Sequence, residues 1–500
     1  MVRSMFDPDF LKGATWGYPG SPIEHVETHA AHIFLVGEHA FKIKKPVKLP
    51  YLDFSTLSKR RAVIEDELAI NRTFTPNLYE GIIEVHGEPV LVMKRFDSHA
   101  LLTWRLDHGG IDDDLAKKLA AMAAAAHSAA PLRQAQGRAI LLGLGAQLSE
   151  AFTNSPDIFR AAETLEFHAL FEDQMARHRA LLNQRSENGL IRRCHGDMHC
   201  GNIAVLAAGP VIFDAIEFSE RIATIDVLYD LAFLLMDLLR HGQRRAANLV
   251  LNHYLHLRRD EEDLSGLALL PLFLSTRAGV RALVTADLVH ELTVSRSLKE
   301  RGDALDYFRA SIGYLKPPRP LLVCVGGLSG SGKSTLASRL APVIGAMPGA
   351  LHLRSDNERK ALAGVEDHEC LPSEAYTRTR SAEVYHALMQ RAETALRGGH
   401  AVIMDAVFAT VEERVRAARL AGRLGVDFTG LWLEAAPSTL KDRVSKRIAD
   451  VSDATPDVVD QQLGYDLGPI EWAKVDASGT PAETEAQVRR ILPSRSAAPT

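Results

Sequence analysis

Cysteine is scarce in this chain: four in 500 residues, at positions 194, 200, 324 and 370. That excludes a disulfide framework and points to a reducing compartment. Charge of one sign is not in excess either; the formal net charge is −5, so no overall basic field draws the chain to nucleic acid or to an anionic membrane. A local basic groove for nucleic acid stays open on this count but is not favoured. The opening MVRSMFDPDF lacks the apolar centre of a signal peptide, and no later run is expected to reach the length of a membrane span. A cytoplasmic protein without a membrane partner is the expectation. Aromatics are few, at 6%, yet 46% of the residues are hydrophobic, a globular balance too large for one core and fitting about two to four domains. No repeat of solenoid period is present, and nothing in the sequence reads out an oligomeric state.

Organisation follows from where the pattern changes. Residues 32–45 (HIFLVGEHAFKIKK) read as two short strands turning at Gly37 and Glu38, and a helix is expected over 56–73. Residues 81–95 form a second hairpin turning at His86 and Gly87. From there the pattern is helical over 112–130, 140–182, 226–256 and 264–314, interrupted by strand-like pieces within 191–218. Residues 314–320 (YLKPPRP) cannot continue a helix. The expected organisation is therefore a first domain over 1–315, a linker over 316–320, a second domain over 321–492 and a disordered tail over 493–500.

The second domain opens on LLVCVGGLSGSGKST, residues 321–335. An apolar β-branched run flows into a glycine loop, and a Leu/Ala-rich helical pattern follows. The spacing G-x-x-x-x-G-K-[ST] leaves few β-carbons around a set of backbone N–H groups, the requirement for closing around phosphate. Gly327, Ser329, Gly330, Ser331, Gly332, Lys333, Ser334 and Thr335 are the expected nucleotide contacts. Lys333 neutralises β/γ oxygens, and the Ser334 hydroxyl ligates magnesium. Further strands are expected over 350–356, 401–407, 428–435 and 472–476, alternating with helices as in a parallel sheet whose ligands lie at the carboxyl ends of its strands. Asp405 closes such a strand and fits a carboxylate that holds magnesium beside the loop.

Asp356 closes another expected strand, in RSDNERK. This segment resembles the substrate segment of small P-loop kinases, among them polynucleotide 5′-kinases, gluconate-kinase-like enzymes and zeta-toxin-like kinases. The resemblance implies that Asp356 accepts the proton of a substrate hydroxyl and that Arg359 clamps substrate or phosphate; the plain alternative for Asp356 is a helix cap. Arg443 and Arg447 stand four apart on one helical face. In the related kinases a lid helix brings such arginines to the transferring phosphate, whereas a solvated ion-paired face explains the same spacing.

The first domain carries CHGDMHCGN, residues 194–202, and then VIFDAIEF, residues 211–218. Two aspartates and an amide are presented near strand-like turns. A zinc reading of Cys194, His195, His199 and Cys200 fails on spacing, since the pairs are too close together and no second cluster follows. His195-x-Asp197-x4-Asn202 resembles the catalytic loop of protein-kinase-like folds, in the aminoglycoside-phosphotransferase-like branch. The resemblance implies that Asp197 takes the hydroxyl proton, that Asn202 and Asp214 hold magnesium, and that a strand lysine, Lys42 in preference to Lys44, is fixed by a helical carboxylate, Glu67 in preference to Glu65. It also implies that Asp230 props the catalytic loop. No G-x-G-x-x-G covers the phosphates, a departure from protein kinases.

The whole chain resembles bacterial proteins that fuse an aminoglycoside-phosphotransferase-like α+β domain to an α/β P-loop kinase domain. Such a fusion implies two ATP and magnesium sites that pass the γ-phosphate to hydroxyl groups of small molecules. Alternatives are a polynucleotide 5′-hydroxyl kinase or an ATPase switch in the second domain, with a regulatory nucleotide-binding first domain.

Overall fold

The computed structural model describes residues 7–28, 30–49, 52–289, 294–446 and 451–493. Contacts divide the chain into two compact units, Met1–Leu144 with Arg179–Leu257, and Gly145–His178 with Arg258–Thr500. The helices of 258–314 thus cluster with the second sheet and not with the first, ahead of the proline-rich segment. Arg447 and residues 494–500 of the expected tail lie outside the described residues.

The first unit opens with a five-stranded antiparallel sheet, in the order Glu24–Glu27, Ala31–Val36, His39–Lys44, Glu88–Lys94, Tyr79–Val85. Both expected hairpins form, and their turns fall at Gly37 (φ 57°) and at His86 (φ 53°) and Gly87. Alternation along His39–Lys44 sends Phe41 and Ile43 to a core with Phe10, Trp16, Phe34 and Val90. Lys42 and Lys44 therefore project from the opposite face. That face is covered by the helix Leu57–Phe74, whose Thr56 caps the Lys59 N–H. Its buried stripe, Arg60, Ile64, Glu67 and Asn71, has helical spacing but is mostly polar, so the helix is held by specific pairing more than by apolar area.

The helical remainder of this unit is interrupted as expected: Ile191–Arg193 pairs with Thr224–Asp226, and Ile203–Leu206 with Gly209–Ile212. Arg185, fully buried, is held by Asp226 through two bonds of 2.7 Å.

The second unit holds a five-stranded parallel sheet in the order Leu351–Arg354, Val402–Asp405, Leu321–Gly327, Asp427–Glu434, Ala473–Asp476. The central strand is buried throughout, the pattern of a parallel strand covered on both faces. Of the expected strands, 350–356 is shorter than the pattern suggested. It ends at Arg354, and Asp356 lies in the first turn of the helix Ser355–Ala363. The long helical stretches divide as well: 140–182 falls into Gly137–Asn154, Ala161–Arg177 and Arg179–Glu187.

One expectation is corrected. The stretch Glu261–Val289 is long and apolar enough to cross a membrane, but 72% of its most apolar window is buried inside the protein. It is a core helix, packed on Val294–Tyr314.

Candidate active sites

In the first unit, a chain of alternating charge, buried except at its Asp214 end, runs from the sheet to the segment after Ile212. Lys42 Nζ donates to Glu67 Oε1 at 2.6 Å and to Asp214 Oδ1 at 2.5 Å. Lys44 Nζ lies 2.7 Å from Glu67 Oε2 and 2.5 Å from Glu217 Oε1. Burial alone would pull the Lys42 ammonium down, but Asp214 and Glu67 hold it well above its ordinary range. Burial opposes the Asp214 carboxylate likewise, and Lys42 outweighs it and keeps that group ionised. Lys42 thus has the expected partner in Glu67 and not Glu65, and Lys44, the competitor, shares it.

Asp214 sits at φ 63°, a left-handed conformation uncommon outside glycine and typical of constrained sites. Neighbours specify it: its N–H donates to the Tyr79 hydroxyl at 2.9 Å, and the Ala215 N–H donates to Asn71 Oδ1 at 2.9 Å.

Across from this segment, Asn202 Nδ2 donates to Asp197 Oδ2 at 2.9 Å and to Asp197 O at 3.0 Å. With its NH2 spent, the Asn202 carbonyl oxygen is left as a hard ligand atom. His195 ties the two segments together. Its Nε2 donates to Phe213 O at 3.0 Å, and its Nδ1 accepts the Asp197 N–H at 3.3 Å. Burial lowers its pKa, which suits a neutral ring making these two bonds. The helix Val227–Arg240 supports the loop from below. Asp230 accepts from the N–H groups of His195 (3.2 Å) and Gly196 (3.0 Å), and Asp237 accepts from Cys200 at 2.9 Å. These two aspartates are seven residues apart and so share one helical face.

In the second unit, the loop after Leu321–Gly327 lines a cleft of about 1240 Å³ whose walls include Ser329 through Thr335, Asp356, Arg359, Asp405 and Arg443. Gly332 (φ 90°) caps the helix that Lys333 begins, so the N–H groups of the first turn face the cleft. Gly327 is not on the wall; its N–H bonds Val407 O at 3.1 Å. At Gly330 (φ 83°) a Cβ would lie 2.3 Å from Leu440 O, so the loop's close approach to its neighbour requires glycine.

Asp405 is paired in register with Val325 and Arg354. Its Oδ2 is buried without a direct hydrogen bond among the described residues, its basic neighbours being His352 Nε2 at 3.5 Å and Arg354 Nε at 3.7 Å. Burial raises its pKa, but His352, Arg354 and Lys333 outweigh that and bring it to about 2. A buried, ionised oxygen of this kind, on the wall of the cleft that Ser334 also lines, is a donor set that fits magnesium directly or through water.

Asp356 is not the helix cap; Arg354 holds that position. Arg359 donates to Ala375 O at 2.7 Å and stacks on Tyr376, 4.8 Å from the ring centre. Arg443 reaches the Gly479 carbonyl at 2.9 Å, and Lys446 pairs with Asp442 at 2.8 Å, as on a solvated helical face.

Glu217, Asn71 and Tyr79 escaped the sequence reading. No sequence signal marks Tyr79, whose hydroxyl meets Asp214 across 135 residues of chain.

Comparison with known proteins bears on both units. Residues 64–269 match the phosphotransferase enzyme family, and residues 322–465 match an AAA domain family. The chain is a kinase that carries a segment of each. An uncharacterized protein of Mycobacterium tuberculosis is 26% identical to this kinase over 485 residues, covering 93% of the kinase and 94% of that protein. A choline kinase from Cryptosporidium parvum covers 59% of the kinase and 88% of its own chain, with 11% identity and a TM-score of 0.41. A gluconokinase from Sinorhizobium meliloti covers 34% of the kinase and 93% of its own chain, with 20% identity and a TM-score of 0.25. The kinase joins an α+β unit that holds the match to the phosphotransferase enzyme family to an α/β unit with a parallel sheet that holds the match to the AAA domain family.

Proposed function

We propose that each module of the kinase binds ATP with magnesium and transfers the γ-phosphate to a hydroxyl group of a small molecule. In the first module Lys42, fixed by Glu67, orients phosphate oxygens. Asn202 and Asp214 hold magnesium, and Asp197 receives the proton of the attacking hydroxyl. In the second, the N–H groups of Ser329 to Thr335 and the Lys333 ammonium cradle the phosphates, while Ser334 and Asp405 hold magnesium. Asp356 takes the proton there, Arg359 steadies the acceptor, and Arg443 is a basic residue on the phosphate side. Bound magnesium neutralises charge on the phosphate oxygens; the side chains supply position and proton acceptance, which is most of what phosphoryl transfer asks of a protein.

The observation that carries this reading is the meeting of Lys42 and Asp214, 172 residues apart and 2.5 Å from each other, beside Asp197 and its partner Asn202. A proton acceptor, two oxygen ligands and a fixed ammonium converge on one place. Incubating the kinase with γ-labelled ATP and a metabolite extract tests the reading. Labelled small molecules should appear, and ATP turnover should be slow until an acceptor is present; equal ATP hydrolysis without acceptor would contradict it.

A further inference from the structure

One peptide unit of the glycine loop, between Leu328 and Ser329, is held at both ends. Lys333 Nζ donates to Leu328 O at 3.0 Å, and the Ser329 N–H donates to Gln462 Oε1 at 2.7 Å. Gln462 is 7% exposed, lies in the last turn of the helix Pro456–Leu463 and is on the wall of the same cleft. Its seat is packed: Val459 of that helix forms an apolar cluster with Leu440 and Val444 of Pro437–Ser445, and Leu328 of the loop packs against it. The side chain is thus placed by its surroundings and not by chance contact.

Backbone N–H groups of such a loop are donors for phosphate oxygens, and the loop lysine serves the β/γ end. Lys333 touches the carbonyl of the very peptide unit whose N–H meets Gln462. That N–H therefore belongs to the terminal-phosphate end of the loop. An amide oxygen and a phosphate oxygen make the same demand on it, and one N–H serves one strong acceptor well.

We propose that Gln462 is a specificity-determining residue of the P-loop site: its side-chain oxygen holds the Ser329 N–H that the terminal phosphate of a nucleoside triphosphate takes, so a triphosphate must move Gln462 and a diphosphate need not. The inference rests on the nucleotide reading of the P-loop given above. It makes phosphate count, sensed at Ser329, a property felt by the helix Pro456–Leu463 and by the helix Pro437–Ser445 packed on it.

The test is calorimetric titration of the full chain with MgADP and with a non-hydrolysable MgATP analogue, reading the binding component that Lys333→Ala removes. Gln462→Met keeps side-chain length and helix preference but removes the acceptor. It should lower the ratio of triphosphate to diphosphate dissociation constants about tenfold, the size expected when a buried donor otherwise left unpaired is satisfied by the ligand. Gln462→Glu places a charged acceptor on the same N–H and should raise that ratio about tenfold or more. A ratio that stays within about threefold of the unaltered protein's in either variant, or that moves the other way, overturns the inference. If Lys333→Ala removes no binding component, the nucleotide site itself falls, and the inference with it.

Discussion

Lys44 Nζ stands 2.5 Å from Glu217 Oε1 and 2.7 Å from Glu67 Oε2. Lys42 joins Glu67 to Asp214, so three carboxylates and two ammonium groups form one chain, Asp214–Lys42–Glu67–Lys44–Glu217. Burial and the Glu67 charge push Glu217 upward, which marks it as the member readiest to take a proton. A buried ion chain of this kind is worth little against an apolar replacement of the whole, yet costs much when one member is removed.

Lys44→Met should therefore destabilise the first module by about 3–5 kcal/mol, because Glu67 and Glu217 are left facing one another. Adding Glu217→Gln to that variant should restore part of the loss. Urea unfolding of both single variants and the double variant measures this, and additive effects would contradict the coupling.

Asp230 holds the segment 195–202, the proposed catalytic loop, by accepting two backbone N–H groups. In Asp230→Asn one oxygen remains to accept both, so stability should fall by about 1–3 kcal/mol. In the transfer assay kcat should fall while the KM for ATP stays near its original value, since Asp230 touches no part of the proposed nucleotide site. A change confined to KM would contradict this assignment.

Two loop glycines with positive φ should respond differently to alanine. Gly330 meets Leu440 O, whereas Gly332 has open space where a Cβ would go. Gly332→Ala should cost about 1–2 kcal/mol from backbone strain alone. Gly330→Ala adds a steric clash and should cost more, with loss of nucleotide binding at the second site. Thermal melts with nucleotide titration compare the two.

His400 is fully buried, and its Nε2 has no hydrogen-bond partner among the described residues. Burial brings its pKa from 6.5 to about 4, against a bond to the Gly349 backbone that raises it. The unfolded chain therefore binds a proton below pH 6.5 that the folded module refuses until about pH 4. The sign follows: stability is full above pH 6.5 and is lost as pH falls toward 4, by about 3 kcal/mol in all. His400→Leu should flatten this part of the pH dependence of unfolding.

Much of this is legible in the amino-acid sequence. Both hairpins, the glycine loop and four of the five parallel strands stand where alternation and apolar runs put them, because a covered parallel strand can only be written as an apolar run. Lys42 meets Glu67 and Asp214, and Asn202 meets Asp197. Asp356 falls beyond its strand because that strand is short: Arg354, still paired with Asp405, is both the last strand residue and the cap of the helix that follows, an overlap that side-chain alternation does not record. Glu217 and Asn71 went unread because a buried polar residue looks like a surface residue until its partner is known. Glu261–Val289 shows the converse limit, since a core helix and a membrane span share one composition.

The proposal that two phosphoryl-transfer centres sit on one chain is tested by label transfer from γ-labelled ATP in Asp197→Asn, Lys333→Ala and the combined variant. Asp197→Asn should reduce one set of labelled products by about 10²–10⁴-fold, the range of a positioned proton acceptor. Lys333→Ala should remove the other set, and the combined variant should leave no transfer. Transfer that persists in the combined variant would contradict the account.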